Sequence, residues 1–282
     1  MKILLANSYG LAEDYISKIE ATVEAEYGDK IIKGKNFTLA HHVGEYKNCP
    51  APCETDNTDA FEGDILISHI DLDTIGGCLA LCNKKPEDKK FWEGVGILDV
   101  NWPHHIHELD AGTQKKITAY WAYNSTHEKE KHIGVCDVTE EIFKSAEIIK
   151  KIIDNDEKMI YNGVMWKEDT ERKVENNLLR ENDYVRCFET EDVFCSSSYY
   201  SPEQKKIIPA IVVLNKKMNC VTISFEDGGK KYSAVDAARD IWGDLAGGHN
   251  GIAGSPRGWD VPYEKLKAEF NRAVGYVENL QK

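Results

Sequence analysis

The stretch Gly63-Asp64-Ile65-Leu66-Ile67-Ser68-His69-Ile70-Asp71-Leu72-Asp73 decides how this chain folds. Its first part, GDILISHI over Gly63–Ile70, is a β-rich apolar run entered from a glycine and ending in polar residues, which predicts a buried strand. In extended backbone alternate side chains share a face, so His69, Asp71 and Asp73 point the same way. Thr74–Leu81 follows, small and apolar like a helix packed tightly on a sheet. Strand, acidic turn and close-packed helix in direct succession argue for an α/β domain, whose ligands gather beyond the carboxyl ends of its strands.

Working outward, Met1–Ala6 reads as a strand, and Ala12–Glu26 carries Tyr15, Ile16, Ile19 and Val23 at helical spacing. Val95–Val100 (VGILDV) reads as a second buried strand, Thr113–Asn124 as a helix, and Gly134–Val138 as a short strand. Thr139 is placed to cap an amphipathic helix running to about Asp154. The expectation is an α/β catalytic domain over residues 1–155, with a mostly parallel sheet and helices on both faces. The charged segment 156–184, helical over Trp166–Glu181, reads as a connector. Residues 185–282 change texture: short strands at Val185–Cys195, Ile207–Leu214 and Cys220–Phe225, a turn at Asp227-Gly228-Gly229, a helix near Val235–Trp242, and the segment AGGHNGIAGSPRG. That pattern predicts a smaller α+β domain.

Composition narrows the function. The 282 residues hold 35 Lys and Arg against 48 Asp and Glu, a formal charge of −13. Such a field repels phosphate backbones and disfavours long nucleic acid as a partner. It does not exclude a small anionic substrate, because a bound divalent metal reverses the local sign. No run approaches the roughly 20 apolar residues of a membrane helix, so no membrane partner is expected. MKILLANSYG lacks the long apolar core and small-residue cleavage site of a signal peptide. Eight irregularly spaced cysteines are too few for a disulfide scaffold, and the cytoplasm is the expected compartment. A homo-oligomer stays open.

Three segments read as strands finish in a carboxylate: His69-Ile70-Asp71-Leu72-Asp73 after the first, Asp99 with Asn101, His104, His105 and His107 after the second, and Asp137 after the third. Imidazole and carboxylate together suit Mn²⁺, Mg²⁺, Fe²⁺ or Zn²⁺. The bland alternative is that an Asp after a strand caps a helix, which applies to Asp137 and to Asp73. His41-His42 and Cys49-Pro-Ala-Pro-Cys53 share one polar loop; they could make a structural zinc set, or a histidine could reach the main metal cleft. Gly247, Gly248, Gly251 and Gly254 permit close backbone approach, so their N–H groups could cradle an anion beside His249, Ser255 and Arg257. The alternative there is a tight loop between strands.

These motifs resemble the DHH phosphoesterase superfamily. SHIDLDTIGG is similar to the family's first metal motif, with Thr74 where many members have Gly; Asp99 with His104-His105 resembles its Asp-His-His motif, stretched by Val-Asn-Trp-Pro; and AGGHNGIAGSPRG resembles the glycine-histidine motif of its substrate-binding domain. The resemblance implies a two-domain phosphohydrolase using divalent cations, most commonly Mn²⁺, on a small phosphate ester, short oligonucleotide or cyclic nucleotide. It implies His69, Asp71 and Asp73 as metal ligands, Asp99 as a bridging ligand and Asp137 as a terminal one. His104 and His105 become catalytic residues, and Gly247, Gly248, His249, Ser255 and Arg257 hold substrate. Other readings are a metal-dependent hydrolase of a non-phosphate bond and a nucleotide-binding module whose catalytic motif has drifted.

Overall fold

The computed structural model describes residues 1–59, 61–127, 131–191, 196–256 and 258–282. The chain divides into two compact units, Met1–Trp102 with Glu108–Lys167, and Pro103–His107 with Glu168–Lys282.

The first unit is built on β1 (Ile3–Ala6), β2 (Ala21–Val23), β3 (Phe37–Leu39), β4 (Ile65–Ile67) and β5 (Val135–Asp137), in the order β3-β2-β4-β1-β5. The first four run parallel and β5 antiparallel. Every residue of β1, β2 and β4 is buried, as expected of parallel strands covered on both faces. Register aligns Val23 with both Leu39 and Ile67, so β3, β2 and β4 end level with one another. That level edge is what positions the site.

Helices α1 (Leu72–Leu81), α2 (Lys89–Asn101), α3 (Ala111–Thr126) and α4 (Thr139–Ile153) belong to this unit, as does α5 (Glu157–Asn176) up to Lys167. All ten residues of α1 are buried. A Cβ at Gly76 would lie 2.5 Å from Cys53 Cβ, and one at Gly77 would lie 2.7 Å from Val23 Cγ1. The two glycines therefore let α1 press against β2 and against the short turn Pro52–Glu54.

Two expectations are corrected. Ala12–Glu26 is not a helix: a short helix covers Tyr9–Glu13 and the chain then extends into β2. The helical spacing was accidental, since Thr22 is buried along with Ala21 and Val23 while Ile16 is exposed. Val95–Val100 is not a strand but the end of α2. Buried Phe91, Trp92, Val95 and Leu98 recur at helical intervals, Ile97 and Val100 face solvent, and Asp88 caps the start by accepting from Phe91 N. An apolar run of six residues cannot distinguish strand from helix without its flanks.

The second unit is a mixed six-stranded sheet of β6 (Leu178–Glu181), β7 (Val185–Thr190), β8 (Ala210–Asn215), β9 (Cys220–Phe225), β10 (Gly247–Gly248) and β11 (Ile252–Gly254), ordered β10-β11-β9-β8-β7-β6. β7 and β8 are parallel, and the other neighbours are antiparallel. Leu178–Glu181, read from sequence as the end of a charged helix, is the edge strand β6. Helices α6 (Ala234–Trp242) and α7 (Tyr263–Gln281) supply Ala238, Ile241, Phe270 and Val274 to a core with Val212, Leu214, Val221 and Ile223. Fully buried Arg186 donates to Glu181 (2.7 Å), Glu175 (2.6 Å) and the Ser198 carbonyl (2.8 Å), which satisfies its charge. Among the described residues no helix is long and apolar enough to cross a membrane.

Candidate metal centre

The level ends of β3, β2 and β4 each deliver ligands. Glu24 directly follows β2, His41 and His42 follow β3, and His69 and Asp71 follow β4. Asp73 comes from the first turn of α1, and Asp99 from the last turn of α2. Glu24 is in the left-handed region at φ +48°. Glutamate seldom adopts that conformation, and when it does the surroundings must hold it there. Its N–H donates to the Leu39 carbonyl at 2.8 Å and its carbonyl accepts from the Ser68 hydroxyl. Both neighbouring strand ends thus pin the one residue between them.

The side chains converge. His41 Nε2 is 2.9 Å from Asp99 Oδ2, 3.0 Å from Glu24 Oε1 and 3.6 Å from Asp73 Oδ2. His42 Nε2 lies 3.2 Å from Asp99 Oδ2 and 3.7 Å from Glu24 Oε1. His69 Nε2 lies 3.1 Å from Asp71 Oδ2 and 3.3 Å from Glu24 Oε2. One imidazole nitrogen donates a single proton, so it cannot serve three carboxylates. Both oxygens of Glu24, Asp73 Oδ2, Asp99 Oδ2 and His41 Nε2 are buried and lack a hydrogen-bond partner among the described residues. Burying such groups unsatisfied is expensive. Buried ligand atoms crowded together beyond the hydrogen bonds they can make are what a cation cage presents, and this donor set fits a divalent ion; only His69 Nε2 and Asp71 Oδ2, at 3.1 Å, bond one another among the atoms just named. They form two groups, Glu24-His41-His42-Asp99 and Glu24-His69-Asp71, with Glu24 common to both.

Supporting contacts orient the ligands. The Ser68 hydroxyl gives its proton to the Glu24 carbonyl, so at 2.8 Å it accepts from His69 Nδ1–H, which directs Nε2 at Asp71 and Glu24. Asp71 divides its oxygens: Oδ1 accepts from Thr74 N at 2.9 Å and caps α1, while Oδ2 faces His69. Asp71 is therefore the N-cap, and not Asp73. Asp73 Oδ1 accepts from Cys53 N at 2.8 Å, leaving Oδ2 for the cluster.

Charge follows the crowding. Burial and neighbouring Glu24 push the Asp73 carboxyl up to about 7. Burial works against protonated His41, but Asp99 and Glu24 outweigh it and raise the imidazole to about 10. Asp71 and Glu24 raise His69 to about 10 as well. Asp99 is held well below the carboxylate range, since pairing with His41 and His42 overcomes its burial. Without metal, the cluster therefore holds protons at neutral pH. A metal must displace them, so its apparent affinity should rise with pH by about tenfold per unit for each proton released. Calorimetric titration with Mn²⁺ at pH 6, 7 and 8 checks this; a flat profile contradicts it.

No protein-family model matches the chain, and no curated protein matches it. Among solved structures, an exopolyphosphatase-related protein from Bacteroides fragilis is a distant match, with a TM-score of 0.31 and 13% identity. The match covers 87% of this chain and 65% of that one, so this chain spans less than two thirds of that protein's length.

The structure brings His69, Asp71, Asp73 and Asp99 together and adds Glu24, His41 and His42. It does not bring Asp137 to them. β5 is antiparallel, with Asp137 opposite Leu4 near the start of β1, so its last residue lies at the far edge of the sheet. There Asp137 Oδ1 accepts from Thr139 N and Oγ1, at 3.2 and 2.6 Å, and Oδ2 lies 3.6 Å from Lys2 Nζ. It anchors the start of α4, which is the capping alternative read for Asp137 from the sequence. Cys49 is exposed and Cys53 buried, and neither joins a metal-ligating group among the described residues. His104 and His105 belong to the second unit. In that unit Gly247-Gly248 and Ala253-Gly254 pair as a tight hairpin with exposed His249 at its tip. Gly248, at φ +150°, has no room for a Cβ, which would lie 2.4 Å from the Ile252 carbonyl. The Ser255 hydroxyl is buried and accepts from Val221 N at 3.1 Å, so it extends the sheet ladder. Arg257 lies outside the described residues.

Proposed function

We propose that the chain is a metal-dependent phosphohydrolase acting on a small phosphate ester, short oligonucleotide or cyclic nucleotide. The observation that carries the reading is the buried cage around Glu24, whose oxygens lack hydrogen-bond partners among the described residues and face two ligand groups. Glu24, His41, His42 and Asp99 would hold one divalent ion, Mn²⁺ foremost, and Glu24, His69 and Asp71 a second, with Asp73 adding negative charge beside the first. Such a pair supplies a water of lowered pKa and neutralises phosphoryl oxygens. The choice of phosphate over other hydrolysable groups rests on the resemblance of SHIDLDTIGG and AGGHNGIAGSPRG to DHH phosphoesterases.

The chain's own residues do the rest. His41 and Asp73 are almost fully buried and fix the floor of the cage. His42 and His69 are half exposed, so each ring can also meet an incoming anion. Backbone N–H groups at the start of α1 favour negative charge close by. A charge of −13 with no long basic stripe suits a short substrate better than a polymer.

Turnover of bis-p-nitrophenyl phosphate, or of a phosphorylated metabolite from a screen, should require added Mn²⁺. It should vanish in an Asp71→Ala/Asp73→Ala double variant. Folded, metal-loaded protein that hydrolyses acyl substrates and no phosphate compound would overturn the proposal.

A further inference from the structure

We infer that the second unit carries a divalent-metal site of its own, formed by His104 Nε2, His105 Nε2 and Glu226 Oε2 and suited to zinc. Glu226 lies just past β9 and appears in none of the motifs that suggest a phosphohydrolase. His104 and His105 are the histidines of the Asp-His-His resemblance, but the site argued here requires only their geometry with Glu226 and not phosphohydrolase activity.

Both imidazoles aim Nε2 at one carboxylate oxygen without bonding it: His104 stands 3.9 Å and His105 3.8 Å from Glu226 Oε2. All three ligand atoms lie within 4.8 Å of one another. Tetrahedral bonds of about 2.0–2.1 Å to zinc place donor atoms about 3.4 Å apart, so each histidine has to approach Glu226 by only roughly half an ångström. The His104 side chain is only 4% exposed, and its Nε2 has no hydrogen-bond partner among the described residues. A nitrogen left so in the interior calls for a partner. Metal ligation supplies one.

The surroundings hold these groups in place. The His104 ring packs between those of His105 and Tyr199, at centroid distances of 4.7 and 4.5 Å. Ser224 Oγ donates to the Gly251 carbonyl at 2.9 Å, so the Tyr199 hydroxyl donates to Ser224 at 2.5 Å. This chain of contacts ties the cluster to the glycine hairpin of the same unit. Glu226 N donates to the Pro209 carbonyl at 3.0 Å. The adjacent Asp227 spends its carboxylate on the turn, accepting from Gly229 N and Lys231 N at 2.8 Å each, whereas that of Glu226 faces the histidines. Two imidazoles and one carboxylate are a common zinc set that leaves a fourth position for water or an anion. Glu226 is 30% exposed and His105 20%, so that position has a route to solvent.

The test uses the full-length chain with the first unit's centre disabled by Glu24→Gln and Asp73→Asn. After loading with Zn²⁺ and dialysis, this background should retain one equivalent by elemental analysis. Co²⁺ in its place should give visible d–d absorption. Adding Glu226→Gln, an isosteric change at a partly exposed position, should weaken zinc binding by about a hundredfold or more with the circular dichroism unchanged. A folded background that holds no zinc overturns the inference, as does an affinity that Glu226→Gln leaves unchanged. If the wild type holds only this equivalent and loses it to Glu226→Gln, the phosphohydrolase proposal falls while this site stands.

Discussion

Asp73→Asn should raise the melting temperature of the metal-free protein by several degrees at pH 8 while lowering metal-dependent hydrolysis about a thousandfold. The two effects have one cause. Asp73 is 1% exposed and sits beside Glu24, which lifts its carboxyl from 3.8 to about 7. A carboxyl with a raised folded-state pKa disfavours folding when ionised. Its penalty is absent below about pH 4, grows as pH climbs, and is complete above about 7, where it amounts to a few kcal/mol. Asparagine removes that charge yet keeps an oxygen to accept from Cys53 N. The stabilisation should therefore shrink between pH 8 and pH 5. Activity moves the other way, because losing one carboxylate weakens the hold on a metal worth several kcal/mol in the transition state. Melting curves in chelator at both pH values, beside turnover with Mn²⁺, test the pair. A variant that melts lower at pH 8 would show that Asp73 serves the fold rather than a cation.

Glu24→Gln should have the broadest effect on metal content. Oε1 faces His41 and Oε2 faces His69, so a single carboxylate serves both ligand groups. Removing its charge should empty both positions at micromolar Mn²⁺, whereas Asp99→Asn should empty only the group containing His41 and His42. Elemental analysis after dialysis should then give about two, one and zero equivalents in the first unit for wild type, Asp99→Asn and Glu24→Gln. Equal losses in the two variants would mean that Glu24 is not shared.

What the sequence disclosed depended on whether a residue announced its own backbone. His69, Asp71 and Asp73 were legible because a clear strand runs into them at two-residue spacing and a small-residue helix leaves. Glu24 was not, because β2 is three residues long and the apolar residues before it fall at helical intervals by chance. A strand that short shows no period, so its terminal acid looked like one more helical glutamate. Asp99 was singled out as a carboxylate at the end of a strand, whereas it comes to the cluster from the end of a helix. Asp137 shows the reverse failure. Its strand exists, but strand direction is set by pairing with β1 and leaves no local signature, so its carboxylate emerged at the opposite edge. His41 and His42 stood out by type, yet only the level alignment of β3 with β2 says where they go. Glu226 carried no signal, because its histidine neighbours lie over a hundred positions away in the chain.

Helix α1 is enclosed on every side, and it carries Asp73 while Asp71 forms its cap. Its position is dictated by Gly76 and Gly77 against Cys53 and Val23, so it cannot slide to suit a guest. The aperture between these carboxylates and Glu24 is thus set by core packing and not by the ion. On the proposed metal reading, cations that differ mainly in radius, such as calcium and manganese, should be sorted by the hydrocarbon behind the helix as much as by the oxygens in front of it.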